Sequence, residues 1–426
     1  MTPAATTGER FGARRLHSDA IAVALSSMGN AGLGVLFWAL AARLIAPHQL
    51  GVMTAVLSVI TSLASVVAAG VGDAYTALLP ATGGARGRVY QHGQRIFYVL
   101  TVASGVVGAM VAVGMLREIR GSVAAAVLIA VGVVFWASFT LQNSTMIAVG
   151  RARWVPVANL AVGLAKIALL VVLVRTIGWH SVELAAIVAV AAAALILRPI
   201  LLLAIRNDSL PTRGSVAEER SIREFNRVVR QTITLSSLGL GLLTITPFLV
   251  TVFAGPTQGA LFALCLTIVA TFDFIGASMA VSLVVHASGV PEQTTAMARG
   301  VLRRAFAITL VGTITAVLVV PTALQILNPA YARSESLPVI IVLCLGTLTR
   351  VPYLVWTSVQ QARRQLRIPL VFNAITAVLM LVLLPLLAQR FGALGGACAL
   401  LVHQLALTVA AVCHHLLNRT GRRETT

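Results

Sequence analysis

Lysine is nearly missing from this sequence: Lys166 stands alone among 32 basic residues, and only 13 of the 426 residues are acidic. Charged residues make up 11% of the chain, against about 25% in an ordinary soluble domain. With 58% of its residues hydrophobic, a water-soluble fold would have nowhere to hide its apolar surface. Cysteine is scarce too. Cys265, Cys344, Cys398 and Cys413 lie inside apolar runs, with no CxxC spacing and no histidine in ligand register, and read as inert packing thiols. Catalytic signatures are missing as well: there is no Walker loop, no HExxH, no GxSxG, and no DxD-like cluster to hold a metal and a nucleotide sugar. Connectors between apolar runs are short, so a polymerase or glycosyltransferase would lack the loops that carry its acids. The chain reads as a transporter rather than an enzyme, with no cofactor or metal expected.

What is present is a series of apolar runs long enough to cross about 30 Å of hydrocarbon. They fall at residues 20–45, 50–79, 96–116, 122–149, 156–177 and 183–205, then at 231–254, 260–288, 305–327, 338–360, 368–388 and 393–417. The expected fold is an all-α integral membrane protein of about twelve transmembrane helices, in two six-helix lobes with a central cavity. On this reading 1–19 is a cytoplasmic N-terminal segment, 20–205 the first lobe and 206–230 a cytoplasmic linker. The second lobe is then 231–417 and the cytoplasmic tail 418–426. Ala39 and Ala41 form an A-x-A arrangement, but the run before them is longer than a signal-peptide core and is read as the first span.

A net charge of +19 would point to nucleic acid in another sequence. Here most arginines sit in alternate connectors, among them Arg86, Arg88 and Arg95, Arg151 and Arg153, the run from Arg206 to Arg230, and Arg299, Arg303 and Arg304. The opposite connectors hold only Arg43, Arg117, Arg120, Arg175, Arg333 and Arg390. That asymmetry orients a membrane protein with both termini in the cytoplasm, and the expected partners are membrane lipids rather than nucleic acid. Scarce lysine with abundant alanine, valine and arginine suggests a GC-rich bacterial genome, hence the bacterial inner membrane.

Two local patterns add to this layout. From Glu218 to Arg230, EERSIREFNRVVR sets Ile222, Phe225 and Val229 on one helical face, as for a helix in the cytoplasmic interface; a solvated linker is the plainer reading. Ser26-Ser27-Met28-Gly29 leads to Pro47 and Gly51, and Ser236-Ser237-Leu238-Gly239 leads to Pro256 and Gly259. Six spans per half make this a parallel repeat about an axis along the membrane normal, with chance likeness between apolar helices as the alternative.

Ionisable groups inside spans are costly and tend to face the bundle interior, water or a partner charge. Lys166 lies near the middle of the fifth span and Arg350 near the middle of the tenth, where each would set positive charge before a phosphate or pair internally. Arg350 sits in Gly346-Thr347-Leu348-Thr349-Arg350-Val351-Pro352, whose proline and small residue are expected to loosen the backbone. Arg198, about two turns from the end of the sixth span, either joins the site or snorkels to the interface. Asp73 and Asp273 are the candidate sites for a coupling proton or sodium, or static partners of the cations. Among neutral groups, Asn30 and Asn373 are candidate substrate contacts, while Gln142, Asn143, Asn159, His403 and Gln404 are expected to bond between helices.

Asn30, then Trp38-Ala39-Leu40-Ala41-Ala42-Arg43-Leu44-Ile45-Ala46-Pro47 and Gly51, resembles the polysaccharide exporter and O-antigen flippase family. That family belongs to the multidrug/oligosaccharidyl-lipid/polysaccharide exporter superfamily. The resemblance implies a flippase for polyprenyl-diphosphate-linked oligosaccharide, with a cationic cavity that alternates between inward and outward openings. Lys166, Arg198 and Arg350 fit that role by burial and charge. Two other readings remain: a cation-coupled multidrug or small-solute antiporter relying on Asp73 and Asp273, and a non-transporting scaffold that meets envelope glycan synthesis proteins through its arginine-rich loops.

Overall fold

The computed structural model describes residues 29, 32–81, 86–178, 180–207, 216–287, 294–362 and 367–423, and those residues are almost wholly helical. The helices are α1 Gly32–Leu44, α2 Pro47–Leu78, α3 Arg86–Met115, α4 Val123–Ala148, α5 Trp154–Thr176 and α6 Ser181–Asn207. They continue as α7 Val216–Ser236, α8 Leu242–Ala254, α9 Pro256–Ala287, α10 Thr294–Leu327, α11 Arg333–Ala362 and α12 Arg367–Arg423. Among the described residues nine helical stretches are long and apolar enough to span a membrane, and α1 and Pro256–Phe272 are shorter apolar helices. The longest stretch is two helices meeting at Gly392, whose φ of 60° no ordinary helical residue adopts. Counted as two, it brings the apolar helices to twelve, as the hydrophobic runs predict.

Local chemistry sets the helix starts. Pro47 and Pro256 open α2 and α9, where a missing N–H costs nothing and φ is already helical. Ser122 caps α4, its hydroxyl accepting from the Ala125 N–H at 3.2 Å. The two repeat-like Pro/Gly segments meet in space: a Cβ on Gly51 would lie 1.8 Å from the Pro256 carbonyl oxygen, so only glycine permits this backbone approach.

Residues 231–254, expected as one span, form one continuous helical stretch with a π turn inside it. α7 runs through a π-helical turn at Ser237–Gly241 into α8, and the Ser62 hydroxyl donates to the Gly241 carbonyl at 2.9 Å. A π turn leaves one carbonyl offset from the regular ladder, and Ser62 supplies a donor to the turn. The α7 face expected to lie on lipid is covered by protein. Phe225 and Val229 are buried, with the Phe225 ring 5.6 Å from Tyr75 and 6.1 Å from His92. Gly93 makes room, since a Cβ there would stand 2.7 Å from Phe225. His92 and Asn226 are hydrogen bonded at 2.9 Å beside it.

Contacts gather the chain into two units, one of Met1–Phe37 with Val59–Gly241 and the other of Trp38–Ser58 with Leu242–Thr426. In the first unit, α3 and α6 turn valine, leucine and isoleucine side chains outward, as helices facing lipid do. Ser26, Ser27, Met28 and Asn30 lie outside the described residues.

Candidate functional site

In the second unit, α11 presents Gly346, Arg350, Tyr353, Trp356 and Gln360 at steps of three and four, with Thr349 three residues from Gly346, which places them on one side of the helix. Both halves of α12 pack on this helix. From the first half, the buried Asn373 donates to the Tyr353 hydroxyl and, at 2.9 Å, to the Pro369 carbonyl, while Phe372 stacks on Trp356 with ring centroids 5.9 Å apart. From the second half, Thr408 donates to the Thr349 carbonyl, and Tyr353, Leu407 and Ala411 form a small buried cluster. The ring of His414 meets Trp356 edge-on at 5.4 Å. α11 passes Pro352 without a break, although the missing N–H of the proline removes one bond from its ladder.

This seam is polar beyond what its own bonds satisfy. Trp356 Nε1, Gln360 Oε1, His403 Nδ1 and Gln404 Oε1 are all buried without a hydrogen-bond partner among the described residues. Each such orphan costs about 1–3 kcal/mol when nothing compensates it. His403 and Gln404, expected to bond between helices, therefore leave polar atoms unused. The Gln404 amide rests against Gly346, where an added Cβ would sit 2.1 Å from its Oε1. Arg350 is half-buried on the same face, within electrostatic reach of Tyr353 and His403. The seam thus combines a guanidinium, suited to phosphate oxygens, with amide oxygens that accept from hydroxyls and an indole N–H that donates.

In the first unit, Lys166 of α5 is held differently. Its ammonium lies 5.8 Å from the ring centre of Phe37 and 5.7 Å from that of Trp136, against a cluster that includes Phe135, Ala165 and Leu169. No carboxylate pairs with it among the described residues, and the two aromatic faces supply its electrostatic contacts. Neighbouring polar groups are tied to one another: Asn143 donates to Asn159 at 3.2 Å and Gln142 to the Ala194 carbonyl at 2.9 Å.

The other predicted residues separate from these two centres. Arg198 is exposed and lies 5.8 Å over the Tyr98 ring. Asp73, expected in the inner part of a span, lies in the last turns of α2 with its side chain exposed. The side chain of Asp273 and the whole of Asn30 lie outside the described residues. One group escaped the sequence reading. Glu183, in the first turn of α6, is fully buried, with one oxygen 3.3 Å from His180 Nδ1 and the other unpartnered. Its signal was the His-x-x-Glu spacing at a helix start, masked by its position at the edge of an apolar run.

No protein-family model matches the sequence, and no curated protein matches it. Solved structures do. The lipid II flippase MurJ in an inward closed conformation aligns with a TM-score of 0.73 at 12% identity, over 93% of this chain and 87% of that one. An inward-facing multidrug resistance MATE transporter of the MOP superfamily aligns with a TM-score of 0.66 at 16% identity, over 94% and 96% of the two chains. A MOP-superfamily transporter from Pyrococcus furiosus, described by a binding pocket of reverse polarity, aligns with a TM-score of 0.57 at 14% identity, over 94% and 95%. The chain therefore has the fold shared by these transporters and is a multi-pass membrane protein. At such identities the likeness speaks for the fold and leaves the cargo to be argued from side chains.

Proposed function

We propose that this protein translocates a polyprenyl-diphosphate-linked oligosaccharide, or a related envelope glycolipid, from the inner to the outer leaflet of the bacterial cytoplasmic membrane by alternating access. The observation that carries this reading is the seam of Arg350, Gln360, His403 and Gln404, which joins a cation to buried polar atoms that have no hydrogen-bond partner among the described residues. A diphosphate cannot enter hydrocarbon unshielded, whereas its isoprenoid tail stays in lipid throughout. The protein's work is then to shield the headgroup. Arg350 takes phosphate oxygens and the amide oxygens take sugar hydroxyls, while Lys166, in the first unit, is a separate candidate contact for the substrate's negative charge. Asn373 holds Tyr353 in place beside Arg350. Asp273 and Asp73 are the proposed carriers of a coupling proton or sodium, and both termini are proposed to be cytoplasmic.

A second reading, a cation-coupled multidrug antiporter, draws on the stack of Trp356, Phe372 and Tyr353, which suits a flat aromatic cation. The positive charge of Arg350 beside that stack weighs against it. Flipping of a fluorescent polyprenyl-diphosphate oligosaccharide in proteoliposomes separates the two. The intact protein should exceed empty liposomes, Arg350→Ala should abolish the signal, and Asp273→Asn should remove only its dependence on an ion gradient. No flipping by the intact protein, with uptake of a cationic dye instead, would favour the antiporter.

A further inference from the structure

We infer that the first unit carries an open groove between α3 and α7 for the phosphate of one anionic membrane phospholipid, held by Arg95, Arg230 and the Asn226 amide. The site lies apart from the seam of the second unit and does not rest on the flippase reading. α2 runs against both helices. Its Tyr75 meets Tyr90 of α3 and Phe225 of α7, while nearer its start Leu63 closes on Gly108 of α3 and Gly70 receives Ile233 of α7. α3 and α7 therefore run parallel, and the 2.9 Å bond between His92 and Asn226 fixes their register. One turn on from that bond, at a common level, stand Arg95, three residues after His92, and Arg230, four after Asn226. Both are exposed, on the side opposite the buried Gly93 and Phe225, so a headgroup can reach them from the surface.

The groove offers donors. An amide oxygen can only accept, so His92 Nε2 holds the proton of the His92–Asn226 bond, and the half-buried Asn226 keeps the N–H groups of its amide for a ligand. Two guanidinium groups flanking an amide N–H suit phosphate oxygens. Among the described residues no carboxylate pairs with Arg95 or Arg230, and the exposed Glu224 is on the far side of α7. Arg88 and Arg223, two turns nearer the helix starts, add positive charge while making contacts of their own. Depth and surroundings name a lipid as the occupant. About 30 Å of α3 separates Arg95 from the helix end at Met115, the thickness of the hydrocarbon, so Arg95 stands at headgroup level. Beyond it on the same face α3 exposes Val99, Val102 and Val106, a stripe along which an acyl chain can lie.

Native mass spectrometry of the purified full chain, in an equimolar mixture of phosphatidylglycerol and phosphatidylcholine with the same acyl chains, tests this without any transport assay. One phosphatidylglycerol should be retained in preference to phosphatidylcholine. The double variant Arg95→Gln/Arg230→Gln should lower that preference at least about tenfold, since each arginine beside anionic lipid is worth about a factor of five. Should the double variant fail to fold, either single variant should lower it about fivefold. Arg303→Gln/Arg304→Gln, which removes the same charge from exposed positions of α10 in the other unit, should leave it unchanged. An equal loss in the α10 variant, or an unchanged preference in the folded groove variants, would overturn the proposal. So would displacement of the phospholipid by inorganic phosphate at equal concentration, which would make this an anion site with no lipid specificity.

Discussion

Lys166 and Arg350 are both cations set inside apolar helices, one in each unit, and they are accommodated by opposite means. Around Lys166 stand the rings of Phe37 and Trp136 within an aliphatic cluster, and the neighbouring amides bond one another or a carbonyl. Around Arg350 stand a hydroxyl, an imidazole and amides, several with polar atoms unspent. The first arrangement stabilises a charge through quadrupoles that need no hydration, and the second resembles a solvation shell held in protein. An aromatic cage can release its cation to an arriving anion at small cost. A shell of unspent acceptors gains only when a ligand with donors fills it. The two units therefore hold a cation by different physical means, rings in one and polar groups in the other.

The sharpest test of that contrast is chemical replacement at the two cations. Arg350→Ala is expected to lower flipping by at least about fiftyfold, since a bidentate phosphate contact and its charge are lost together. Arg350→Lys should recover only a minor part, because a point ammonium lacks the planar fork. Full activity of Arg350→Lys in proteoliposomes would show that the seam supplies charge alone. At the other centre, Lys166→Met should lower flipping by about five- to tenfold and stabilise the fold by about 1–3 kcal/mol, because methionine fills the aromatic gap without a desolvated charge. Thermal unfolding in detergent reads this as a rise of the melting temperature. A fall would mean that the aromatic contact outweighs desolvation.

Much of this was readable in the sequence, and what was not has a common cause. Apolar runs mark the spans because every backbone polar group in lipid must be satisfied within a helix, so length and composition suffice. They also mark Lys166 and Arg350 as unusual. Which residues meet is another matter. Nothing local to Lys166 announces Phe37 and Trp136, which arrive from other helices. Nothing in Phe225 tells that Gly93, far earlier in the chain, leaves space for it. The interruption at Ser237–Gly241 shows in sequence only as a Gly-Leu-Gly that many helices tolerate.

A smaller effect probes how the seam is held. Asn373 makes two hydrogen bonds, to Tyr353 and to Pro369, and is buried. Asn373→Ala should destabilise the second unit by about 1–2 kcal/mol, leaving the Tyr353 hydroxyl without its donor. The counterpart in the first unit, Asn159→Ala, removes one bond from Asn143 and should cost about 1 kcal/mol or less. Equal losses in thermal unfolding would erase the distinction between a wired seam and an aromatic cage.

The smallest effect expected is also the most specific to recognition. Gly346 allows the Gln404 amide to lie against the backbone of α11, and a Cβ at that position would stand 2.1 Å from Oε1. Because that oxygen is the far end of a flexible side chain, Gly346→Ala should be absorbed by a rotation of Gln404, at a cost within about 1 kcal/mol. The rotated amide would aim its unspent acceptor elsewhere. Binding of a sugar-bearing polyprenyl diphosphate should then weaken about threefold, while binding of the bare polyprenyl diphosphate should stay the same, since one neutral hydrogen bond is at stake and Arg350 is untouched. Equal weakening for both ligands would remove Gln404 from sugar recognition and leave the seam's orphaned acceptors as a feature of packing between α11 and α12.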